Sequence, residues 1–111
     1  MARTPLNASI EEIATTDLTT LDYVVPTDTV STPFLVLTNL TTAILDITIY
    51  INDGTTDFIL VQGKVAGGIG KAWIIKELST QKLNAGFTIK VQATTATAFN
   101  ASLSVSEISN T

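Results

Sequence analysis

The stretch of this chain that looks most like a chemical motif is VAGGIGKA at residues 65–72, with three glycines and one lysine. A phosphate-binding loop needs a glycine, four residues, Gly-Lys and then a hydroxyl residue, so that backbone N–H groups and the lysine surround the phosphate. Aligned on Gly70-Lys71, the first glycine position holds Val65 and the hydroxyl position holds Ala72. The stretch instead predicts a mobile loop between strands that could order against a partner. Its candidate contact residues are Gly67, Gly68 and Ile69.

Other residues that could support catalysis or metal binding are few. The chain contains no cysteine and no histidine, which excludes thiolate nucleophiles, Cys/His zinc sites and His-dependent triads. Asp53 and Asp57 flank a turn, but calcium needs six or more oxygens and the following residues do not supply them. The pair Glu11-Glu12 lies near the amino terminus, where no pocket is expected to shift a carboxylate pKa. We therefore expect no enzyme activity, no cofactor and no metal.

The composition indicates a β-rich domain with few charges. Hydrophobic residues make up 45% of the chain and charged residues 14%, against about 25% charged in an average domain. Threonine supplies much of the polar surface, and β-branched residues suit a pleated, half-buried strand. A small surface with few charges indicates that another subunit covers part of it. The net charge of −4, without basic clusters, argues against a nucleic-acid partner.

The amino-terminal residues show no targeting pattern. MARTPLNASIEEIATT lacks the apolar core of a secretory signal, and no apolar run in the chain approaches the roughly 18 residues of a membrane-spanning helix. We therefore predict a protein made in the cytoplasm, without a membrane partner.

Short alternating segments predict β-strands. Residues 44–52, ILDITIYIN, alternate most clearly, and Asp53-Gly54 after them is a strong hairpin-turn signal. FTIKVQAT at 87–94 and FNASLSVSE at 99–107 alternate in the same way. Seven or eight such strands without a long helix predict an all-β chain in which residues 17–111 form one antiparallel sandwich. The sandwich could be of jelly-roll or immunoglobulin-like type.

Residues 1–16 differ from the rest and are predicted to form an amino-terminal arm. Ser9 followed by Glu12 has the spacing of a capping box, so a single helical turn is one possibility. An extended arm is the alternative, because the segment lacks a full amphipathic face. The candidate contact residues of the arm are Arg3, Leu6, Ile10 and Ile13.

Two segments are apolar on both faces, FLVL at 34–37 and FILV at 58–61. In AWIIKEL at 72–78, which is also predicted as a strand, Trp73, Ile74 and Ile75 run together. Either a loop or the arm covers the second face, or that face meets another subunit. The candidate contact residues of the second segment are Phe58, Ile59, Leu60 and Val61.

The order of elements from residue 34 to 108 resembles that of small β-sandwich structural proteins of tailed bacteriophages. The shared features are the strand end Thr38-Asn39 with Thr41, the alternating strand at 44–52, Trp73, and the segment 83–91. The resemblance implies a non-enzymatic component of the phage particle. A capsid decoration (cement) protein is the first expectation, and a small tail, baseplate or fibre-attachment subunit is the alternative.

The resemblance also implies the partners. These are further copies of the chain, with a trimer favoured, and either the major capsid protein or a tail protein. The rival hypothesis is a host-surface glycan-binding module, for which Trp73, Tyr23 and Tyr50 would supply stacking surfaces.

Overall fold

The structure, a computed structural model, describes residues 2–94 and 98–109, and for residues 2–8 it describes the backbone alone. Within these residues the chain forms eight strands and one short helix. The strands are β1 Ala2–Ile13, β2 Thr19–Val24, β3 Thr29–Asn39, β4 Leu45–Asn52, β5 Asp57–Val65, β6 Ala72–Ile74, β7 Thr88–Ala93 and β8 Phe99–Ser109, and the helix α1 is Lys76–Ser79.

The strands form two four-stranded antiparallel sheets packed face to face. Sheet A has the order β1-β8-β3-β6, and sheet B has the order β2-β7-β4-β5. β1 pairs with β8, β2 with β7, β3 with β6 and β4 with β5, as though one long hairpin had been rolled up. This is the strand order of a jelly roll. The all-β sandwich prediction is confirmed, and the topology decides between the two sandwich types that the sequence left open.

The apolar positions of the alternating strands face the space between the two sheets. A Leu, Ile or Phe side chain that is fully buried contributes roughly 1.5–3 kcal/mol relative to an exposed one, so these rows hold the sheets together. The inward rows of β4, β7 and β8 include Leu45, Ile47, Ile49, Ile89, Val91, Phe99 and Leu103, all nearly inaccessible to solvent.

The segment AWIIKEL departs from its prediction as a single strand. β6 ends at Ile74, and α1 begins at Lys76. Ile75 and Leu78 are both fully buried, because residues three apart fall on the same side of a helical turn. The apolar run therefore belongs partly to a strand and partly to a turn that packs on the sandwich.

Trp73 closes the edge of the sandwich at which β6 and β5 lie opposite each other. Its indole ring lies over Gly63 of β5, at a distance that leaves no room for a side chain on that glycine. Gly63 is therefore required by packing, and Trp73 joins the last strand of sheet A to the last strand of sheet B.

The residues predicted as an amino-terminal arm lie mostly in β1, an outer strand of sheet A. β1 pairs with β8 along its length, with a bulge between Asn7 and Ser9. The helical turn suggested by Ser9 and Glu12 does not form, because the backbone is hydrogen-bonded to β8. Glu11 accepts a hydrogen bond of 2.8 Å from the Asp22 N–H of β2. The segment is extended, as in the second alternative, and it contacts both sheets.

Candidate interaction surfaces

The outward side of sheet A, named here the serine face, is a broad surface whose described side chains are nearly all uncharged. Its centre is β8, where Ser102 and Ser104 point outward between β1 and β3. Val36 lies opposite Ser102, and Phe34 lies opposite Ser104. The side chains described on the serine face are Ile10, Glu12, Val30, Thr32, Phe34, Val36, Thr38, Ala72, Ile74, Asn100, Ser102, Ser104, Ser106 and Ile108.

One register row of the serine face crosses all four strands of sheet A. Ile10, Ser102, Val36 and Ile74 lie side by side in it. Ile10 is 64% exposed and Ile74 is 48% exposed, so the row is open to solvent at both ends. Among the described side chains of this face only Glu12 is charged. The part of the serine face on β3, β6 and β8 can therefore lose its water without the cost of burying a charged group.

A surface hollow of about 360 Å³ lies beside Phe34, which is 44% exposed. It forms where β3 lacks a neighbouring strand, between the single bridge of Ser31 to Leu83 and the end of β6 at Ile74. Pro33 lies in this gap and has no N–H, so its backbone needs no acceptor from a neighbouring strand there. The residues that line the hollow are Thr32, Pro33, Phe34, Ser79, Ser104, Val105 and Ser106.

The outward side of sheet B, named here the charged face, has a different character. The Lys64 Nζ lies 3.2 Å from Asp46 Oδ2, and the Lys90 Nζ lies 3.0 Å from Asp57 Oδ1. The pKa of Asp57 lies below its usual range. The main cause is the hydrogen bond that the Asn52 amide donates to its carboxylate, and the second is the neighbouring Lys90. Covering these groups would remove water from paired charges, which is costly. The charged face comprises Thr20, Val24, Asp46, Thr48, Tyr50, Asn52, Asp57, Ile59, Gln62, Lys64, Thr88, Lys90 and Gln92.

The second predicted contact segment lies on β5, at the edge of sheet B. Phe58 is 53% exposed and Ile59 is 68% exposed, so the described chain leaves both largely uncovered. Leu60 is the extra residue of a β-bulge, and Val61 packs partly against the core. A bulge bends an edge strand and hinders its pairing with another chain. β5 therefore offers an apolar side-chain contact rather than a strand-pairing edge.

Asn39 organises one end of the sandwich, named here the Asn39 end, where the loops 40–44 and 66–71 meet. Its side chain is fully buried. The amide nitrogen donates to the carbonyls of Ala43, at 2.7 Å, and Ala66, at 3.0 Å, while Oδ1 accepts from the Thr41 N–H at 2.8 Å. One side chain thus holds both loops, which explains why Asn39 followed by Thr41 ends the strand.

The glycine-rich loop is hydrogen-bonded to the Asn39 end. The Gly68 N–H donates to the Thr41 carbonyl at 3.1 Å, and the Gly70 N–H donates to the Asn39 carbonyl at 2.8 Å. These are N–H groups that a phosphate cradle would use, and both are already donated within the chain. The loop backbone at Gly67 is too close to residue 42 for a side chain. Two large apolar side chains remain exposed at this end, Ile69 at 75% and Ile44 at 63%.

The four candidate residues of the predicted arm have different environments. Arg3 and Leu6 occupy backbone positions of β1 paired with β8, and their side chains lie outside the described residues. Ile10 is on the serine face, whereas Ile13 is 4% exposed and belongs to the core. The structure therefore brings Ile10 together with Val36 and Ile74, and separates it from the exposed residues of β5 and the Asn39 end.

The three aromatic residues considered for glycan stacking do not share a surface. Trp73 points into the sandwich edge, and Tyr50 lies on the charged face, where its O–H donates to Gln92 Oε1 at 3.2 Å. The Tyr23 O–H donates to the Glu107 carboxylate and so joins β2 to β8. Burial and this hydrogen bond raise the pKa of Tyr23 to about 12. The three rings therefore form no common platform.

The acidic side chains of the described residues are dispersed. Asp53 accepts hydrogen bonds from the N–H groups of Thr56, at 2.8 Å, and Thr55, at 3.0 Å, and these bonds lower its pKa. Across residues 2–94 and 98–109, no three His, Cys, Asp or Glu side chains are grouped so that they could hold a metal ion. No helix in the same ranges is long and apolar enough to cross a membrane.

Sequence reasoning missed three features of these surfaces. Ile44 and Ile74 were not selected, because each stands in an apolar run whose exposed member the local pattern does not identify. The outward serines of β8 were noted only as the polar half of an alternating strand. The available signal was that the outward positions of FNASLSVSE are all Asn or Ser, with no charged residue.

Comparison with solved structures places the same fold in capsid and pilus proteins. A Bacillus endospore appendage protein aligns over 99% of this chain and 88% of its own, at 12% identity and a TM-score of 0.56. A chain from the capsid of Helicobacter pylori bacteriophage KHP30 aligns over 96% of this chain and 92% of its own, at 10% identity and a TM-score of 0.53. A chain of the infectious bursal disease virus particle aligns over 96% of this chain but 30% of its own, at 11% identity and a TM-score of 0.51.

At these identities the likeness is one of fold. No protein-family model matches the sequence, and no curated protein is similar to it. The chain is a jelly-roll domain, and solved structures that share its fold include components of viral capsids and pili.

Proposed function

We propose that this protein is a non-enzymatic structural component of a bacteriophage particle that decorates and stabilises the capsid shell. The observation that carries the proposal is the serine face, an open four-stranded surface with apolar side chains and a single described charge. Such a surface suits a subunit that is buried in an assembly. Copies of the chain bound across a shell would stabilise it jointly, because many modest contacts add up.

Solved structures that share the fold support a place in a viral particle. The KHP30 capsid chain is matched over 92% of its length, and the infectious bursal disease virus chain is matched over 30% of its length. The serine face, rather than the length of the chain, favours a subunit that binds to other proteins of the shell.

The Asn39 end is the contact that we assign to the major capsid protein. Ile69 and Ile44 project from loops that Asn39 holds in place. A preorganised loop loses little conformational entropy on binding, so two exposed isoleucines there can form an effective anchor. Gly67 and Gly68 belong to the same contact, since they set the path of the loop.

A tail, baseplate or fibre-attachment subunit is the second candidate. It is favoured by the exposed pair Phe58 and Ile59 on β5, at the edge of sheet B. A subunit with contact surfaces on different sides can be arranged in rings, including the trimer that the phage resemblance favours. The two candidates differ in the part of the particle that contains the chain.

The test is to separate phage particles into heads and tails and to detect the chain in each with an antibody. Decoration predicts the chain in heads, and purified protein should sediment with undecorated heads. Ile69→Lys should reduce this binding at least tenfold, whereas the matched variant Gln62→Lys on the charged face should bind normally. Detection in tails alone would support the second candidate, and absence from both fractions would contradict the proposal.

A further inference from the structure

The serine face is a whole side of the sandwich that no described residue covers, and its properties select one occupant. We infer that the serine face binds the serine face of a second copy of this chain, so that sheet A packs on sheet A about a two-fold axis. The inference rests on the proposed function in treating the chain as an assembly subunit, and it adds the partner of this surface.

Charge favours a second copy as the occupant. The chain has ten acidic and six basic residues, and its net charge of −4 makes two copies repel each other. A surface that carries almost no charge lets two such copies approach without bringing like charges into contact. The part of the serine face on β3, β6 and β8 meets this condition, since none of its described side chains is charged. Glu12 lies in the outer strand β1, where the register also places Arg3 opposite Ile108. A basic partner recruited by electrostatic attraction would instead require several acidic residues on the serine face.

The relief of the serine face is complementary to itself. Ser102, Ser104 and Ser106 form a low line along β8, and Phe34 and Val36 stand beside it on β3. In a two-fold arrangement every contact is made twice, so the ridge of each copy can enter the low line of the other. This is how packed sheets interdigitate their side chains about 10 Å apart.

The area of the serine face is at the lower end of what a specific dimer needs. β8 has 11 residues and β6 has three. At about 3.4 Å per residue and about 4.8 Å between strands, the three long strands span about 37 Å by 14 Å and β6 adds about 10 Å by 5 Å, or roughly 600 Å² together. Standard interfaces bury about 800 Å² on each partner. A pair must therefore use all four strands, including β1 with Ile10 and β6 with Ile74, and its formation should depend on protein concentration.

The test is sedimentation equilibrium on the full chain over a wide concentration series, with variants at the centre of the serine face. The parent protein should approach twice its chain mass of 11.8 kDa. Ser104→Arg and Ser104→Glu should each remain monomeric at concentrations at which the parent pairs. An equal mixture of the two should pair again, because opposite charges then meet across the axis. Gln62→Arg, on the charged face, should pair like the parent.

The mixture removes misfolding as an explanation, because variants that had failed to fold would not recover pairing when combined. A parent that stays monomeric throughout, a discrete trimer, or undiminished pairing by both single variants would each overturn the inference. These outcomes are separate from the proposed function, because the measurement uses no phage component. A chain that pairs and is absent from phage heads and tails would contradict the proposed function alone.

Discussion

The two outward faces of the sandwich are built from the same number of strands and differ in the side chains they present to solvent. On the charged face, Lys64 pairs with Asp46 and Lys90 pairs with Asp57. On the serine face, short hydroxyl residues alternate across the strands with Phe34, Ile10 and Ile74. The folding requirement is the same for both sheets, since each needs only an apolar inward side. Folding therefore does not explain the difference between the outward sides, and we attribute it to the second copy that the serine face is inferred to bind.

The largest effect is expected from a substitution on the inward side of β8, directly behind the serine face. Leu103 lies between Ser102 and Ser104 in β8 and is completely buried. Leu103→Ala should lower the free energy of unfolding by about 2–5 kcal/mol, because it removes buried methyl groups and leaves a cavity. Urea denaturation of the monomer measures this change. Ser102→Ala is the matched control and should change the free energy by less than about 0.5 kcal/mol; equal effects would contradict the assignment of the two sides.

A smaller effect is expected at Tyr23, whose hydrogen bond to Glu107 joins sheet B to sheet A and so keeps the two faces in a fixed relation. Its pKa is raised from 10.0 to about 12 in the folded protein. The contribution of neutral Tyr23 to the free energy of unfolding is therefore fully present below pH 10 and is lost as the pH rises toward 12. The loss should be about 1 kcal/mol, after allowance for solvent screening at this half-buried site.

Urea midpoints measured on both sides of pH 10 test this prediction. Tyr23→Phe should remove the part of the stability loss above pH 10 that comes from ionisation of Tyr23. Tyr50→Phe, which leaves the bond to Glu107 intact, should retain it. Identical alkaline profiles for the parent and Tyr23→Phe would show that the bond does not contribute.

The smallest effect is expected on the charged face. Lys64→Gln removes an exposed ion pair and should change the free energy of unfolding by less than about 1 kcal/mol, with the difference reduced further by salt. It should leave the sedimentation behaviour of the chain unchanged. A loss of pairing in Lys64→Gln would mean that the charged face takes part in the contact, and the comparison of the two faces would fail.

The inward half of this structure follows from the sequence more closely than the outward half. Alternation in ILDITIYIN and FNASLSVSE predicted both the strands and their buried rows, because burial of one side imposes a period of two. β1 was not predicted as a strand, since its pairing with β8 joins opposite ends of the chain and local pattern does not report it. The end of β6 was missed because Ile75 and Leu78 are apolar in either conformation.

The candidate surfaces were predictable only in part. FLVL and FILV signalled apolar residues on both sides of a strand, and Phe34, Phe58 and Ile59 are indeed exposed. Which of these lie on a common surface depends on sheet order, which places β3 beside β8 and β5 at the far edge of the other sheet. Alternation within one strand does not contain that information.

The most direct test of the central claim uses the absence of cysteine from the chain. Ser104→Cys on the serine face and Gln62→Cys on the charged face each introduce a single thiol, and the rate of its reaction with a maleimide is measured as protein concentration rises. We expect the thiol at position 104 to become progressively protected, while the thiol at position 62 reacts at a constant rate. A constant rate at position 104, or equal protection at both positions, would contradict the claim that the serine face is the surface through which this chain assembles.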